Sequence, residues 1–320
     1  MAKKAQNSDF LNQFISEKTG ESLNQNVSEI KDVIVNQNNA QTSQSTLGYL
    51  SVDLKILPNG IFYKPGTQIK IKAATVAEVQ AYSVVDDANM IDVTEKMNQM
   101  LSSCVKVIHP NGAIGSYKDL KDGDRIFLIF MIRELTFQQG CNLAKDTQCS
   151  SCSHDFKINF RSTGNATQPK TFVCYEMDEK IAKYFDNDNK VFSITVDDEI
   201  YRLAPPTIGI QESFFSEIKR NVQSEKTPNV SFMKIVPYLL WDRNSITDEG
   251  IKKKEEEFKK MSMKTFQVLN KMVDLMKFGI KELMQPCPKC GSEVRTTMTF
   301  PAGASGIFII PDPFADLDKK

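Results

Sequence analysis

The pattern of polar and apolar positions divides this chain into a polar first segment and a folded remainder. Residues 1–46 are rich in Asn, Gln and Ser, and only one short stretch places apolar side chains, among them Phe10 and Phe14, at helical spacing. A segment of this composition cannot bury enough apolar surface to offset the entropy that it loses on ordering. We therefore predict a flexible polar arm with one short helix, whose Phe10 and Phe14 would contact a partner.

Residues 47–140 show the pattern of a small α+β head. Short strand-like runs alternate with the turn signals Pro-Asn-Gly and Lys-Pro-Gly. Thr75 and Glu78 have the spacing of a capping box, in which each side chain accepts a hydrogen bond from the other residue's backbone N–H. Asp92 and Glu95 repeat this spacing, so two helices are expected to begin at these places.

The longest apolar run of the head covers residues 122–135. It opens with acidic residues, which suit a helix N-terminus, and it is too apolar for a surface helix. We predict a central buried helix. A buried strand is the alternative, because periodicity does not distinguish the two in a short apolar run.

Two Cys-x-x-Cys pairs carry the strongest chemical signal. Cys149 with Cys152, and Cys287 with Cys290, each precede alternating apolar positions, which is the pattern of a turn that runs into a strand. A closed structural zinc site needs four ligands in a tetrahedron, and two such knuckles that face each other make a zinc ribbon. We therefore predict one structural Zn²⁺ bound by these four cysteines.

The predicted ribbon comprises residues 141–175 and 285–311. A redox pair of the thioredoxin kind is an alternative, but it would need one Cys-x-x-Cys at a helix N-terminus, whereas strands are expected here. A catalytic zinc is a second alternative, in which His154 would replace a cysteine. Four thiolates leave no open coordination position, which argues against it.

Residues 176–284, between the knuckles, are predicted to form a β-hairpin and a mainly helical insertion. The hairpin turns at Asp197 and Asp198, between two runs of alternating hydrophobicity. Helices are expected over three segments, which are residues 208–223, 231–241 and 246–284. In the last segment, apolar positions that step by three and four predict one buried stripe, made of Leu269, Met272, Met276, Ile280 and Leu283.

The stretch GIFIIPDPF crowds apolar residues beside two prolines near the C-terminus. If residues 307–310 form the last strand of the ribbon, alternation turns Phe308 and Ile310 toward its interior. Otherwise Phe308 would be an exposed contact for a partner. Phe314 lies beyond both prolines in an acidic tail, residues 312–320, and is predicted to anchor a partner.

The charge balance excludes several classes of partner. Lys and Arg number 40, and Asp and Glu also number 40, so no net field attracts nucleic acid, an anionic membrane or an acidic substrate. No apolar run approaches the roughly 20 residues of a membrane span, and the N-terminus lacks the apolar core of a secretion signal. We expect a protein without a membrane span that is intracellular or is packaged without secretion.

The remaining reactive side chains indicate no catalytic centre. A reducing compartment favours metal binding over disulfides at Cys-x-x-Cys spacing, and Cys104, Cys141 and Cys174 are predicted to be core residues. His109 and His154 are the only histidines, and the common hydrolase and nucleotide-binding motifs are missing. We predict that the protein is not an enzyme.

Several stretches, taken together in their order and spacing, carry a resemblance to a known family. They are LPNGIFYKPGTQIKIKAATVAEVQ, DRIFLIFMIRELTFQQG, QCSSCSHDF, YRLAPPTIG and PCPKCGSEV. In these the chain resembles the baseplate hub proteins, also called baseplate hub assembly chaperones, of contractile-tailed phages of the T-even type. The similarity runs from about Leu47 to Phe308.

The resemblance implies a structural or assembly role in a phage tail baseplate hub, without catalysis. It also implies other baseplate or hub proteins as partners, and a location in the virion or, during assembly, in the host cytoplasm. A permanent subunit and a transient chaperone both remain open. The alternative is a nucleic-acid-binding zinc ribbon of the transcription type, which needs a basic, aromatic-bearing face, and the ribbon strands offer for this only Lys157, Arg161 and Arg295.

Overall fold

The described part of the chain consists of helices and antiparallel sheets with their connecting loops. The computed structural model describes residues 48–137, 143–164, 169–223, 230–239, 247–300 and 303–308. Its helices are α1 (Val76–Ser83), α2 (Met90–Cys104), α3 (Arg125–Phe137), α4 (Glu179–Ala182), α5 (Ile208–Gln223), α6 (Val230–Ile235), α7 (Asp248–Lys259) and α8 (Met263–Leu275). Its strands are β1 (Leu50–Val52), β2 (Gln68–Ile71), β3 (Val105–Ile108), β4 (Ile114–Gly115), β5 (Ala144–Gln148), β6 (Asp155–Asn159), β7 (Phe172–Cys174), β8 (Phe185–Asp186), β9 (Val191–Val196), β10 (Glu199–Leu203), β11 (Ile280–Pro286) and β12 (Glu293–Thr296). These strands pair in antiparallel fashion, and the predicted α+β class is confirmed.

The head contains a four-stranded sheet with the order β1-β2-β3-β4. Ile69 on β2 pairs with Val52 on β1 and with Val107 on β3, and all three side chains are buried. Ile71, two residues further along β2, is buried as well. Because alternate residues of a strand share a face, the sheet turns one apolar face toward the hydrophobic core that also contains residues of α1 and α2.

The two predicted helix starts of the head have different outcomes. The capping box of α1 is confirmed, since the Thr75 hydroxyl accepts from the Glu78 N–H (3.4 Å) and the Thr75 N–H donates to the Glu78 carboxylate (2.6 Å). The second predicted start, at Asp92, is wrong because α2 begins at Met90. The Asn89 side chain caps this helix by accepting from the Ile91 N–H (3.0 Å) and the Asp92 N–H (3.3 Å), so the cap lies three residues before Asp92.

Helix α3 is the predicted central buried helix, and residues 127–132 are at most 2% exposed. Its Phe130 ring stacks on Phe160, which follows β6, with the ring centroids 5.6 Å apart. It also meets the edge of Phe172 in β7 at 5.0 Å. One hydrophobic core therefore extends across the predicted boundary between the head and the ribbon.

The β-hairpin between the knuckles forms as predicted. Strands β9 and β10 pair antiparallel around Asp197 and Asp198, whose φ angles of 50° and 64° are those of a tight two-residue turn. The insertion has its own core, which the head enters through Phe62. The Phe62 ring contacts the rings of Phe192 (5.7 Å) and Phe278 (4.8 Å), so the insertion packs directly on the head.

The helical part of the insertion agrees with the sequence only in part. Helix α5 covers the predicted residues 208–223, but α6 ends at Ile235 and a single 3-10 turn containing Pro237 follows it. The predicted helix over residues 246–284 is wrong, because the segment forms α7, α8 and strand β11. Ser262 lies between α7 and α8. It caps the start of α8, since its hydroxyl accepts from the Thr265 N–H at 3.1 Å.

The predicted stripe of the last helix is divided between two elements. Leu269 and Met272 are buried on α8, as a helical stripe requires. Ile280 and Leu283 belong instead to β11, which begins after Gly279 (φ 141°) and pairs with β7 and β12. Leu283 is fully buried between these two neighbours, so its apolar character comes from a sheet core.

A buried carboxylate links the start of α3 to the head. Asp124 is fully buried and accepts hydrogen bonds from the Asn59 N–H (2.8 Å), the Asn59 amide (3.1 Å) and the Tyr63 hydroxyl (2.7 Å). Burial raises the pKa of Asp124 to about 6, although these hydrogen bonds favour the ionised form. The network fixes the segment before α3 against the loop that follows β1.

We expect Asp124 to make stability depend on pH. Its pKa is about 6 in the fold against 3.8 for the free group, so its contribution is fully present below the lower value and is lost as pH rises through the higher one. Relative to Asp124→Asn, the wild-type free energy of unfolding should fall by about 2 to 3 kcal/mol between pH 4 and pH 7. Urea titrations of both proteins measure this difference, and a difference independent of pH would contradict the assignment.

Candidate metal centre

The first Cys-x-x-Cys pair forms a tight turn between β5 and β6. The Cys149 N–H donates to the His154 carbonyl (2.9 Å), and the Ser153 N–H donates back to the Cys149 carbonyl (2.8 Å). Ser153 adopts a left-handed φ of 54° to close this turn. The strand predicted after the cysteines is present as β6, whereas β5, with its polar sequence AKDTQ, escaped sequence analysis.

The second pair repeats this turn between β11 and β12. The Cys287 N–H donates to the Ser292 carbonyl (2.8 Å), and the Gly291 N–H donates to the Cys287 carbonyl (2.9 Å). Gly291 has a φ of 74°, at the position equivalent to Ser153. The two turns therefore have equivalent backbone hydrogen bonds, and in each the residue after the second cysteine is left-handed.

The four cysteines of the two turns meet in space. Their Sγ atoms all lie within 4.8 Å of one another, with Cys149 at 3.6 Å from Cys290 and Cys152 at 3.7 Å from Cys287. A tetrahedron of sulfurs around a metal with bonds of about 2.3 Å has edges of roughly 3.8 Å. A disulfide would need sulfurs about 2.05 Å apart, and the cysteines are free thiols. The cluster thus has the size of a metal site.

The surroundings of the cluster shift the pKa values of two of its thiols in opposite directions. Hydrogen bonds from the Ser292 hydroxyl and N–H lower the pKa of Cys290 to about 6. The His154 N–H also lowers the pKa of Cys152, but burial and hydrogen bonds to the three other cysteines raise it to about 12. Four thiolates this close repel one another, and a bound divalent cation offsets that repulsion.

The geometry favours a closed structural site over the two alternatives. Each pair is followed by a strand, so neither pair lies at the helix N-terminus that activates a thioredoxin-type thiol. His154 is not among the clustered ligands, and its ring stacks on Phe156 with the centroids 6.3 Å apart. Cys149 and Cys287 are buried, Cys152 is half-buried and Cys290 is exposed, so the site lies at the protein surface.

The expectation that Phe308 contacts a partner is wrong. Residues Ser305–Phe308 form a 3-10 turn in place of the predicted strand, and Ile307 and Phe308 are both fully buried there. The Phe308 ring meets the edge of Tyr82 at 4.9 Å. Asp87 holds the turn, since it accepts from the Ser305 N–H (2.9 Å) and hydroxyl (2.5 Å).

The other predicted residues are only partly covered by the structure. Cys104 is fully buried, as expected for a core residue, and Cys174 is half-buried on β7 against the same core. Five predicted residues lie outside the described residues. They are the partner contacts Phe10, Phe14 and Phe314, the lone cysteine Cys141 and the strand residue Ile310.

Among the described residues, no helix combines the length and the apolar character needed to cross a membrane. No family model, no curated protein and no solved structure matches this chain.

Proposed function

We propose that the cysteine cluster binds one Zn²⁺ ion in a structural role. Four thiolates in a tetrahedron suit Zn²⁺ or iron, and a site with four protein ligands has no position open for substrate. Cys149, Cys152, Cys287 and Cys290 would each supply one sulfur, and the matched turns present these sulfurs without rearrangement. Zinc bound there contributes folding free energy, because the ligands are not assembled in the unfolded chain.

The proposed zinc fastens distant parts of the chain. The Cys152–Cys287 and Cys149–Cys290 contacts join residues 135 and 141 positions apart. The insertion lies between these positions, so the ion would close a loop that contains a separate hydrophobic core. Such a link constrains the unfolded chain strongly, as a long-range cross-link does.

Removing the metal is expected to expose the loop after β6 to proteases. The Ser162 N–H and the Thr163 hydroxyl bind the Glu134 carboxylate at 2.6 and 2.8 Å, which holds this loop on α3 while β6 is in place. Chelation frees the turn before β6, so new cleavage should appear within residues 161–170. Mass spectrometry of tryptic fragments tests this, with zinc-saturated chelator as the control, and identical digests with and without free chelator would contradict it.

We propose that the protein is a structural or assembly component of a phage tail baseplate hub and acts by binding other baseplate or hub proteins. The observation that carries this proposal is that three of the sequence stretches on which the family resemblance rests lie next to one another in the fold. Asn59 and Tyr63, from LPNGIFYKPG, bind Asp124 at the start of DRIFLIF. Lys121, just before that stretch, donates to the Pro205 carbonyl of YRLAPPTIG (3.1 Å). Because these stretches contact one another, the contacts depend on the order and spacing of the stretches along the chain.

The charges of the ribbon favour this proposal over nucleic-acid binding. Arg295 forms ion pairs with Glu282 (2.7 Å) and Glu293 (2.5 Å), and Lys157 lies 3.7 Å from Asp146. Basic residues paired in this way are poor contacts for phosphates, which need uncompensated positive charge. Protein binding instead has apolar side chains available on the head, since Val84 and Met90 are each 72% exposed.

Quantitative mass spectrometry of purified phage particles and of assembly intermediates tests the hub role. A fixed number of copies per particle identifies a virion subunit of the baseplate. Presence only in complexes with hub proteins from the host cytoplasm identifies an assembly factor. Absence from both would overturn the proposal, and a gel shift with DNA or RNA that weakens steeply between two salt concentrations would support the nucleic-acid alternative.

Partner contacts are proposed for the two ends of the chain. Phe10, Phe14 and Phe314 are aromatic residues in polar surroundings, and buried aromatic anchors carry much of the binding energy of an interface. Cross-linking mass spectrometry of the complexes identified above would locate the contacting residues. Cross-links confined to residues 48–308 would move the interface away from the two ends of the chain.

A further inference from the structure

A cleft of about 640 Å³ lies between the head and the insertion. The head contributes the segment before β2 and the β3–β4 turn, and the insertion contributes the segments that precede α5 and follow α6. Its walls are mainly apolar and include Phe62, Val107, Pro206, Ile210 and Leu239. Cavities that hold small molecules in proteins measure roughly 300 to 1,000 Å³ and have mostly apolar walls, so this cleft has a suitable size and lining.

Lys121 brings an amine to these apolar walls. Among the described residues, its Nζ donates to the Pro205 carbonyl at 3.1 Å. An ammonium carries three donors, so this neutral carbonyl satisfies only part of its capacity. Burial lowers the pKa of Lys121 to about 8, although the Asp124 carboxylate opposes that shift. The ammonium is therefore poorly solvated where it stands.

The backbone around Lys121 is held in place from several directions. The Lys121 N–H donates to the Tyr63 hydroxyl (2.9 Å), and the next N–H, of Asp122, donates to the Pro206 carbonyl (2.9 Å). The Ile208 N–H donates to the Leu120 carbonyl at 2.8 Å. Lys121 is thus fixed to both walls, and a ligand would find it already positioned.

The acidic groups near the cleft are engaged elsewhere. Both Asp124 oxygens accept hydrogen bonds from Asn59 and Tyr63, and Asp119 lies 3.3 Å from His109. Asp122, next to Lys121, pairs with Arg125 at 2.6 Å, and none of these three carboxylates forms a direct ion pair with the Lys121 ammonium among the described contacts. A single negative charge brought by a ligand would complement this cation, while a doubly charged phosphate would be repelled more strongly by these carboxylates.

We propose that this cleft binds a small monocarboxylate with an apolar body, whose carboxylate pairs with Lys121 and whose body lies against the proline-rich wall. The cleft is bounded by separate segments of the head and of the insertion, and its volume suits a small molecule better than an extended peptide. The proposal does not depend on the hub role, because it uses neither the zinc site nor the chain termini.

The test compares 4-phenylbutyrate with 4-phenylbutan-1-ol, which has the same apolar body without the charge. Isothermal titration calorimetry of the full-length, metal-loaded protein measures both dissociation constants, and amide NMR shifts at Thr67 and Thr207 locate the binding. A charge-assisted hydrogen bond predicts that the acid binds about 10- to 100-fold more tightly than the alcohol. Lys121→Met, which keeps the aliphatic stem, should abolish that preference.

Lys64→Met is the matched control, because Lys64 is exposed at the rim of the same cleft. It should leave the preference for the acid unchanged. Equal binding of acid and alcohol to the wild type would overturn the proposal, and this comparison does not depend on any variant being folded. Acid binding absent at about 10 mM, or amide shifts confined to another surface, would also overturn it.

Discussion

Replacing Cys287 with Ser is expected to abolish binding of the proposed metal and to lower the free energy of unfolding by more than about 4 kcal/mol, the range reached when a structural metal is lost. Cys287 is only 2% exposed, and its Sγ lies 3.7 Å from that of Cys152. A hydroxyl binds Zn²⁺ far more weakly than a thiolate, so three sulfurs would remain around an incomplete site. Elemental analysis of protein purified without added metal measures the content, and urea unfolding measures the stability.

Cys174→Ser is the matched control for this substitution. Cys174 is half-buried on β7, outside the cluster, and the same chemical change there should keep the metal at one ion per chain. The two variants separate loss of a ligand from loss of a buried thiol. The site assignment would be contradicted if Cys287→Ser retained its metal, and finding iron in place of zinc would revise only the identity of the ion.

Replacing Phe308 with Ala is expected to destabilise the fold by about 3 to 5 kcal/mol, the usual cost of emptying an aromatic site in a core. Phe308 is fully buried and packs edge-on against Tyr82 at 4.9 Å. The neighbouring turn is fixed by Asp87, so the surrounding structure has little freedom to fill the cavity. Thermal and urea unfolding of the isolated protein measure the effect.

Ile114→Ala is the control for an apolar residue on the surface of the head. Ile114 on β4 is 79% exposed, and its truncation should change stability by no more than about 0.5 kcal/mol. An equally small effect for Phe308→Ala would restore the view of Phe308 as a surface residue. The metal content should be unchanged in both variants, because neither residue belongs to the cysteine cluster.

The features that sequence analysis predicted correctly are those encoded by neighbouring residues. The capping box of Thr75 and Glu78 needs only a spacing of three, and the turn at Asp197 and Asp198 needs only two residues that tolerate a positive φ. Helix α3 was preferred over a buried strand because its apolar run is long. In each case the interactions that form the element lie within a few positions of chain.

Two of the wrong predictions have a common cause, which is a contact with a distant part of the chain. Ile280 and Leu283 continued the helical spacing of α8, yet they form β11 because β7 and β12 provide pairing partners on both sides. Phe308 was open to interpretation as an exposed residue, because its burial depends on Tyr82 and on an Asp87–Ser305 contact between residues 218 positions apart. No local pattern reports a partner at such separations.

The sequence by itself singled out the four cysteines of the candidate metal centre, since cysteine spacing and the strands after each pair are local properties. Only the tertiary structure decided that the two pairs meet, because bringing Cys149 and Cys290 to 3.6 Å depends on packing across 141 positions. The cleft at Lys121 was likewise invisible in the sequence, because its walls come from separate segments of the head and the insertion. Local chemistry is encoded by neighbouring residues, whereas sites between elements exist only after the hydrophobic cores have brought those elements together.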